Sequence, residues 1–103
     1  MNVSILQRVG SFAENTDKAK WLRTHIIVPA LRQEEPEEIV LDLDGVSGTT
    51  QSFVHALIAD AIRYEELSAL DHLVFANCNE VVQSVVEVVV EYTQEQWEDP
   101  DSD

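Results

Sequence analysis

The stretch Glu38–Ala56, EIVLDLDGVSGTTQSFVHA, decides the fold that we predict for this chain. It opens with the apolar run Ile39–Leu41, bounded by a proline and a glycine, which is typical of a buried central strand. The glycines and hydroxyls of 45–51 predict a loop, and a segment with helical spacing follows from Ser52. In an open α/β sheet, ligands and partners dock at the carboxyl ends of the strands, so this junction is the predicted site.

Composition and cysteine content exclude several classes of protein. The 103 residues are 45% apolar, which is enough for one domain with a modest core. No apolar run approaches the roughly eighteen residues of a membrane span, and the start lacks a signal-peptide pattern. The single cysteine, Cys78, excludes an internal disulfide and is typical of a reducing cytoplasm. With three scattered histidines, it offers no metal-ligand spacing. We therefore expect a cytoplasmic domain without a metal or cofactor.

The charge is strongly negative and unevenly placed. The formal net charge is −14, and no lysine or arginine follows Arg63. Phosphate binding needs clustered cations, so nucleic acid and anionic membranes are disfavoured as partners. A basic protein surface would be attracted and steered, although the charge could also serve solubility alone.

Hydrophobic periodicity predicts three strands alternating with three helices. The predicted elements are a strand over about 2–8, a helix from 16, a strand from 39, a helix over about 51–66, a strand over 73–76 and a helix from 80. This alternation predicts an α/β fold, a single domain with helices packed against a mostly parallel sheet. The domain is expected to span 1–97, and the acidic segment 98–103 to be a disordered tail.

Capping residues and a proline predict where the helices begin and end. Asn15 or Thr16 could cap the first helix, and Pro29 should kink or end it near Val28; if it continues, Leu31 is its last apolar residue. Thr50 or Ser52 could cap the second helix, and Asn77 or Asn79 the last. The first helix should bury Ala19, Leu22, Ile26 and Ala30.

The last helix contains many valines, which favour strands by propensity, yet its polar residues recur at helical intervals. We expect the period to prevail. Its apolar residues form two neighbouring rows, one of Val81, Val85, Val88 and Tyr92, the other of Val82, Val86, Val89 and Thr93. If one row packs on the sheet, the other could meet a second subunit and form a homodimer. Burial of both rows is the alternative.

Three segments of the chain resemble a known family. They are SFAEN at 11–15, LDLDGVSGTTQSFVHAL at 41–57 and FANCNE at 75–80. They resemble the STAS-like family of small bacterial proteins, a domain of unknown function, and the similarity covers nearly the whole chain. More distantly, the chain is similar to the STAS domains of anti-sigma-factor antagonists. In those domains, a serine at the helix start is phosphorylated by a partner kinase of the GHKL ATPase type.

That resemblance implies a non-enzymatic regulatory module, a partner-switching signalling protein that docks a GHKL-type ATPase or kinase. Ser52 matches the phosphorylated serine, while Thr50 and Phe53 stand where that family has aspartate and glycine. These two departures affect the phosphorylation switch more than the fold. The implied docking or phosphorylation residues are Thr49, Thr50, Gln51, Ser52, Phe53 and His55.

Two other functions remain open at this point. The acidity would suit a nucleic-acid mimic that occupies a basic groove. A small hydrolase would use Ser52, His55 and Asp42, but a Gly-x-Ser-x-Gly elbow and an oxyanion hole are missing.

Asp42 and Asp44 could hold Mg²⁺, although aspartate at a strand end more often caps the following turn. Cys78 could have a lowered pKa at a helix start, or be an inert, buried thiol.

Overall fold

A computed structural model describes residues 1–35, 37–65 and 72–98, with side chains over 1–35, 37–58 and 72–92. The strands are β1 (Asn2–Ser4), β2 (Phe12–Ala13), β3 (Ile39–Asp42), β4 (Gly48–Thr49) and β5 (Leu73–Ala76). The helices are α1 (Ile5–Val9), α2 (Thr16–Leu22), a π-helical turn (Arg23–Ile27), α3 (Val28–Leu31), α4 (Gln51–Glu65) and α5 (Glu80–Glu98).

The strands form two small parallel sheets. The larger has the order β1-β3-β5, with Val3 opposite Leu41 and Leu41 opposite Phe75. The smaller joins β2 to β4, with Ala13 opposite Thr49. Every strand pair in the described ranges is parallel, and helices connect the strands of the larger sheet. The predicted α/β fold is confirmed.

The first strand is shorter than predicted. It ends at Ser4, and residues 5–9 are helical, so the prediction of a strand over 2–8 was wrong. The hydroxyl of Ser4 accepts a hydrogen bond from the amide of Gln7 at 3.2 Å, which caps α1. The helix ends at Gly10, whose φ of 112° suits glycine. A local cap therefore outweighs the alternation of apolar residues.

The first long helix continues past Pro29 by changing its geometry. Asn15 caps it, since its side-chain oxygen accepts a hydrogen bond from the amide of Lys18 at 3.1 Å. Residues 23–27 form a π turn that ends two residues before Pro29, and helical structure then extends to Leu31, the residue predicted to be last if the helix continued. Proline cannot donate an α-helical hydrogen bond, and π turns are a common adjustment at such positions. The extra residue makes Ile27 the buried residue and leaves Ile26 half-buried.

Helices α2, α4 and α5 pack side by side, with α4 in contact with both of the others. The inner faces are buried together with β3, where Ile39 and Leu41 are fully buried. The buried residues of α4 and α5 with described side chains are Phe53, Val54, Ala56, Leu57, Ile58, Val82, Val86 and Val89. The helical prediction for the valine-rich segment is confirmed, and its period prevails over its propensity.

Only one of the two apolar rows of α5 is buried. Val81, Val88 and Tyr92 are 61%, 48% and 52% exposed, so the alternative in which both rows are buried was wrong. Thr93 lies outside the residues with described side chains. Glu98 is the last residue of α5, and the remainder of the predicted tail, 99–103, lies outside the described residues. Among the described helices, none is long and apolar enough to cross a membrane.

Candidate functional site

The carboxyl ends of β3 and β5 are joined by polar side chains. A carboxylate oxygen of Asp42 accepts hydrogen bonds from the backbone amide of Asp44 at 3.0 Å and from the side-chain amide of Asn77 at 2.9 Å. The bond from Asn77 is the main reason why the pKa of Asp42 lies below its ordinary value. The prediction that Asp42 caps the turn is confirmed. Within the described ranges, no three residues form a cluster that could hold a metal.

The loop after β3 is attached to the start of α5 by Asn79. The side-chain amide of Asn79 donates to the carbonyl oxygens of Val46 at 3.3 Å and Ser47 at 3.1 Å. Its side-chain oxygen accepts from the amide of Val82 at 2.8 Å, which caps α5. Of the two predicted caps, Asn79 is therefore the correct one. Asn77 instead adopts a φ of 59° and bonds to Asp42.

The N-terminal segment holds the other side of the same loop. The amide of Ser47 donates to the carbonyl oxygen of Ser11 at 2.7 Å, and the amide of Thr50 donates to that of Ala13 at 3.2 Å. The hydroxyl of Thr49 also donates to the carbonyl oxygen of Ala13, at 2.7 Å. Two segments that are distant in sequence, 11–13 and 77–79, thus fix the path of the chain from β3 into α4.

Two glycines between β3 and α4 lie close against side chains of the N-terminal segment. A Cβ atom at Gly45 would lie 2.6 Å from a methyl of Leu6, and its φ of 84° also disfavours other residues. A Cβ atom at Gly48 would lie 2.8 Å from the ring of Phe12. Gly45 is therefore required by its backbone conformation, whereas a side chain at Gly48 would force the exposed ring of Phe12 to move.

Thr50, not Ser52, caps α4. The hydroxyl of Thr50 accepts a hydrogen bond from the amide of Phe53 at 3.1 Å, and its carbonyl oxygen accepts from the amide of Val54 at 3.2 Å. Ser52 lies in the first turn of the helix and is exposed. Of the two predicted caps, Thr50 is therefore the correct one, because the helix begins at Gln51, as predicted, and Ser52 already lies within it.

The six predicted site residues divide into two groups. Gln51, Ser52 and His55 are exposed, and they form the outer surface of the start of α4. The other three support this surface from within: Thr49 and Phe53 are buried, and Thr50 is half-buried. No hydrogen bond joins Ser52 to His55 or His55 to Asp42 among the described residues. The arrangement gives no support to the hydrolase alternative.

The exposed residues of α4 line a groove of about 570 Å³ between α2, α4 and α5. The described lining residues are Thr16, Lys20 and Arg23 of α2 and the π turn, Gln51, Ser52, His55 and Ala56 of α4, and Val88, Val89 and Tyr92 of α5. Gln51, Ser52 and His55 were predicted as site residues, and Val88 and Tyr92 only as part of a possible dimer surface; the other lining residues were not predicted. The concentration of cations before residue 33 was the available signal for Lys20 and Arg23.

The remaining candidates lie away from this groove. Cys78 is half-buried, and burial raises the pKa of its thiol, which favours the inert interpretation. The ring of His25 stacks on that of Trp21, with centroids 4.6 Å apart. Cys78, His25 and Trp21 are all absent from the described lining of the groove.

A comparison with curated proteins found no match, and neither did a comparison with solved structures. A family model does match it over residues 18–83, which is more than half of its length. The matched range extends from α2 to the first turn of α5 and includes the whole path from β3 to α4. The chain therefore belongs to the family described as the STAS-like domain of unknown function (DUF4325).

Proposed function

We propose that this chain is a non-enzymatic regulatory module that binds a protein partner through the exposed start of α4. The observation that carries the proposal is the exposure of Ser52 on a turn whose other two hydroxyls are used by the fold. Thr49 and Thr50 have their hydroxyls in hydrogen bonds, and Phe53 is buried. Ser52 is thus the hydroxyl of this turn that a partner can reach without local unfolding.

Phosphorylation of Ser52 would act as the switch. A phosphate adds about −1.5 to −2 charges, and the positive end of the α4 dipole would partly stabilise it. Lys20 and Arg23 line the same groove and would add to that stabilisation. The fold would persist while the docking surface gained negative charge. This change of charge is how partner binding could be controlled.

The resemblance to anti-sigma-factor antagonists favours an ATPase or kinase of the GHKL type as the partner. The net charge of −14 would speed association with any partner that presents a basic patch. Docking would involve Gln51, Ser52 and His55, with the buried Thr49 and Phe53 holding them in position.

The proposal is tested by affinity capture with three variants of the full chain, followed by mass spectrometry. Ser52→Ala should retain the partner, and Ser52→Asp should lose it with an unchanged melting temperature. Ser84→Asp places the same charge on an exposed serine of α5 and should retain the partner. Capture of the same partner by Ser52→Ala and Ser52→Asp alike would disprove the switch.

The charge also favours a second candidate, an acidic mimic that occupies a nucleic-acid-binding groove. Binding by long-range charge would weaken steeply as salt rises and would be insensitive to Ser52. Repeating the capture at two salt concentrations therefore separates this candidate from a specific switch.

A further inference from the structure

The described lining residues of the groove between α2, α4 and α5 carry positive charge, although the chain as a whole is acidic. The chain carries 20 acidic residues against 6 lysines and arginines, yet the described lining residues include Lys20, Arg23 and His55 and no acid. Its volume of about 570 Å³ is within the range of pockets that hold small organic ligands. We propose that this groove binds a small organic anion with an apolar body, such as a carboxylate or a phosphate ester.

One side of the groove carries cationic and hydrogen-bond-donating side chains that could bind an anion. Arg23 is half-buried, and one of its terminal nitrogens donates to the carbonyl oxygen of Ala56 at 2.9 Å, which fixes the guanidinium at the groove wall. The ammonium of Lys20 has no hydrogen-bond or ion-pair partner among the described residues. The exposed hydroxyl of Ser52 and ring of His55 add hydrogen-bonding groups. An anion placed here would meet the ammonium of Lys20 directly, with the guanidinium of Arg23 held in the wall beside it.

The opposite side of the groove is apolar. Val88 and Tyr92 of α5 line it and are about half exposed, while Val89 and Ala56 beneath them are buried. Exposed apolar side chains beside cations match a ligand that has an apolar body and a charged end. This also gives a function to Val88 and Tyr92, the last two residues of the exposed row of α5.

The size of the anion follows from the charge of the whole chain. A polyanionic surface, such as a nucleic acid or an anionic membrane, would be repelled by the net charge of −14. A small anion is within a Debye length, about 8 Å, of the groove cations and is screened from more distant acids. The ligand is therefore a single small molecule, which distinguishes this site from the docking of a protein partner.

The test is a titration of the ¹⁵N-labelled full chain with 1-naphthyl phosphate, followed by amide chemical shifts. We expect shifts confined to the groove segments 16–23, 51–56 and 88–92, with a Kd below about 1 mM. Inorganic phosphate and 1-naphthol should each bind about tenfold more weakly, because each lacks one half of the ligand. Sodium octanoate distinguishes a carboxylate with an alkyl body from an aromatic phosphate ester.

Variants identify the groove as the site. Lys20→Ala should weaken 1-naphthyl phosphate about fivefold, while Lys18→Ala removes the same charge from the same helix outside the groove and should have no effect. Ser52→Asp should also weaken binding by charge repulsion. Shifts outside the groove, equal effects of both lysine variants, or 1-naphthol binding as tightly as its phosphate would overturn the proposal. Because no partner protein takes part, failure here is distinct from failure of the partner switch.

Discussion

The hydroxyl of Thr49 donates a hydrogen bond of 2.7 Å to the carbonyl oxygen of Ala13, 36 residues earlier in the chain. Both residues are buried, and they also face each other in the pairing of β4 with β2. This contact fixes the chain immediately before α4, so it determines where the exposed residues of the site lie.

Replacing Thr49 by valine should lower the free energy of unfolding by about 1 kcal/mol, because a buried hydrogen bond is lost while the side chain keeps its shape. The midpoint of urea unfolding measures this change. Thr24→Val makes the same replacement at an exposed position and should leave the midpoint nearly unchanged. Equal midpoints for the wild-type chain and Thr49→Val would show that the bond contributes no stability.

Thr50 and Ser52 should differ in their effect on stability. Thr50→Ala removes the cap of α4 and should cost about 1 kcal/mol. Ser52→Ala should stay within about 0.5 kcal/mol of the wild-type value, because Ser52 is exposed and caps nothing. Thermal unfolding of the two variants, measured side by side, decides the matter; a larger loss for Ser52→Ala would contradict the capping geometry.

Acid should weaken the fold partly through Asp42. Its pKa is lowered in the folded state, so folding favours the charged carboxylate. The resulting stability is complete above about pH 4 and is lost as the pH falls through the lowered pKa. Urea midpoints measured from pH 7 to pH 2 should therefore fall less steeply for Asp42→Asn. Asp44→Asn, at an exposed neighbour, is the matched control and should keep the wild-type slope.

Cys78 should react slowly with thiol reagents. Burial raises the pKa of its thiol, so the reactive thiolate is scarcer at neutral pH than for free cysteine. Alkylation by iodoacetamide, followed by mass spectrometry, should be slower than for a model peptide, and its rate should rise at a higher pH. A rate equal to that of the peptide at pH 7.5 would refute this expectation.

Much of the fold follows from local patterns in the sequence. The row of Val82, Val86 and Val89 repeats with the helical period, and the helix forms despite the strand propensity of valine. Ile39 and Leu41 lie in a short apolar run, and both are fully buried in β3. In α5 the burial of apolar side chains outweighs the strand preference of valine, whereas in β3 burial and backbone preference agree.

The errors arise where a single contact outweighs the pattern. Ser4 caps a short helix, although the alternation of Val3 and Ile5 suggests that the strand continues. The π turn before Pro29 maintains a helix that proline alone would end. Neither the Ser4 cap nor the π turn changes the hydrophobic periodicity of the sequence, because each depends on one or two hydrogen bonds.

The site was predictable only in part for a different reason. Ser52 and His55 lie in one motif, but Lys20 and Tyr92 come from helices at opposite ends of the chain. Their meeting depends on the packing of α2 and α5 against α4, which is a tertiary property. The sequence thus indicates the hydroxyl-bearing turn, whereas the groove beside it becomes visible only in three dimensions.

The family match begins at residue 18, yet Ser11 and Ala13 hold the loop that leads into α4. An excised piece cut at the limits of that match would keep the recognisable motif and lose the edge strands β1 and β2 together with these anchors. Any experiment that transplants the motif into another protein has to carry the preceding segment with it.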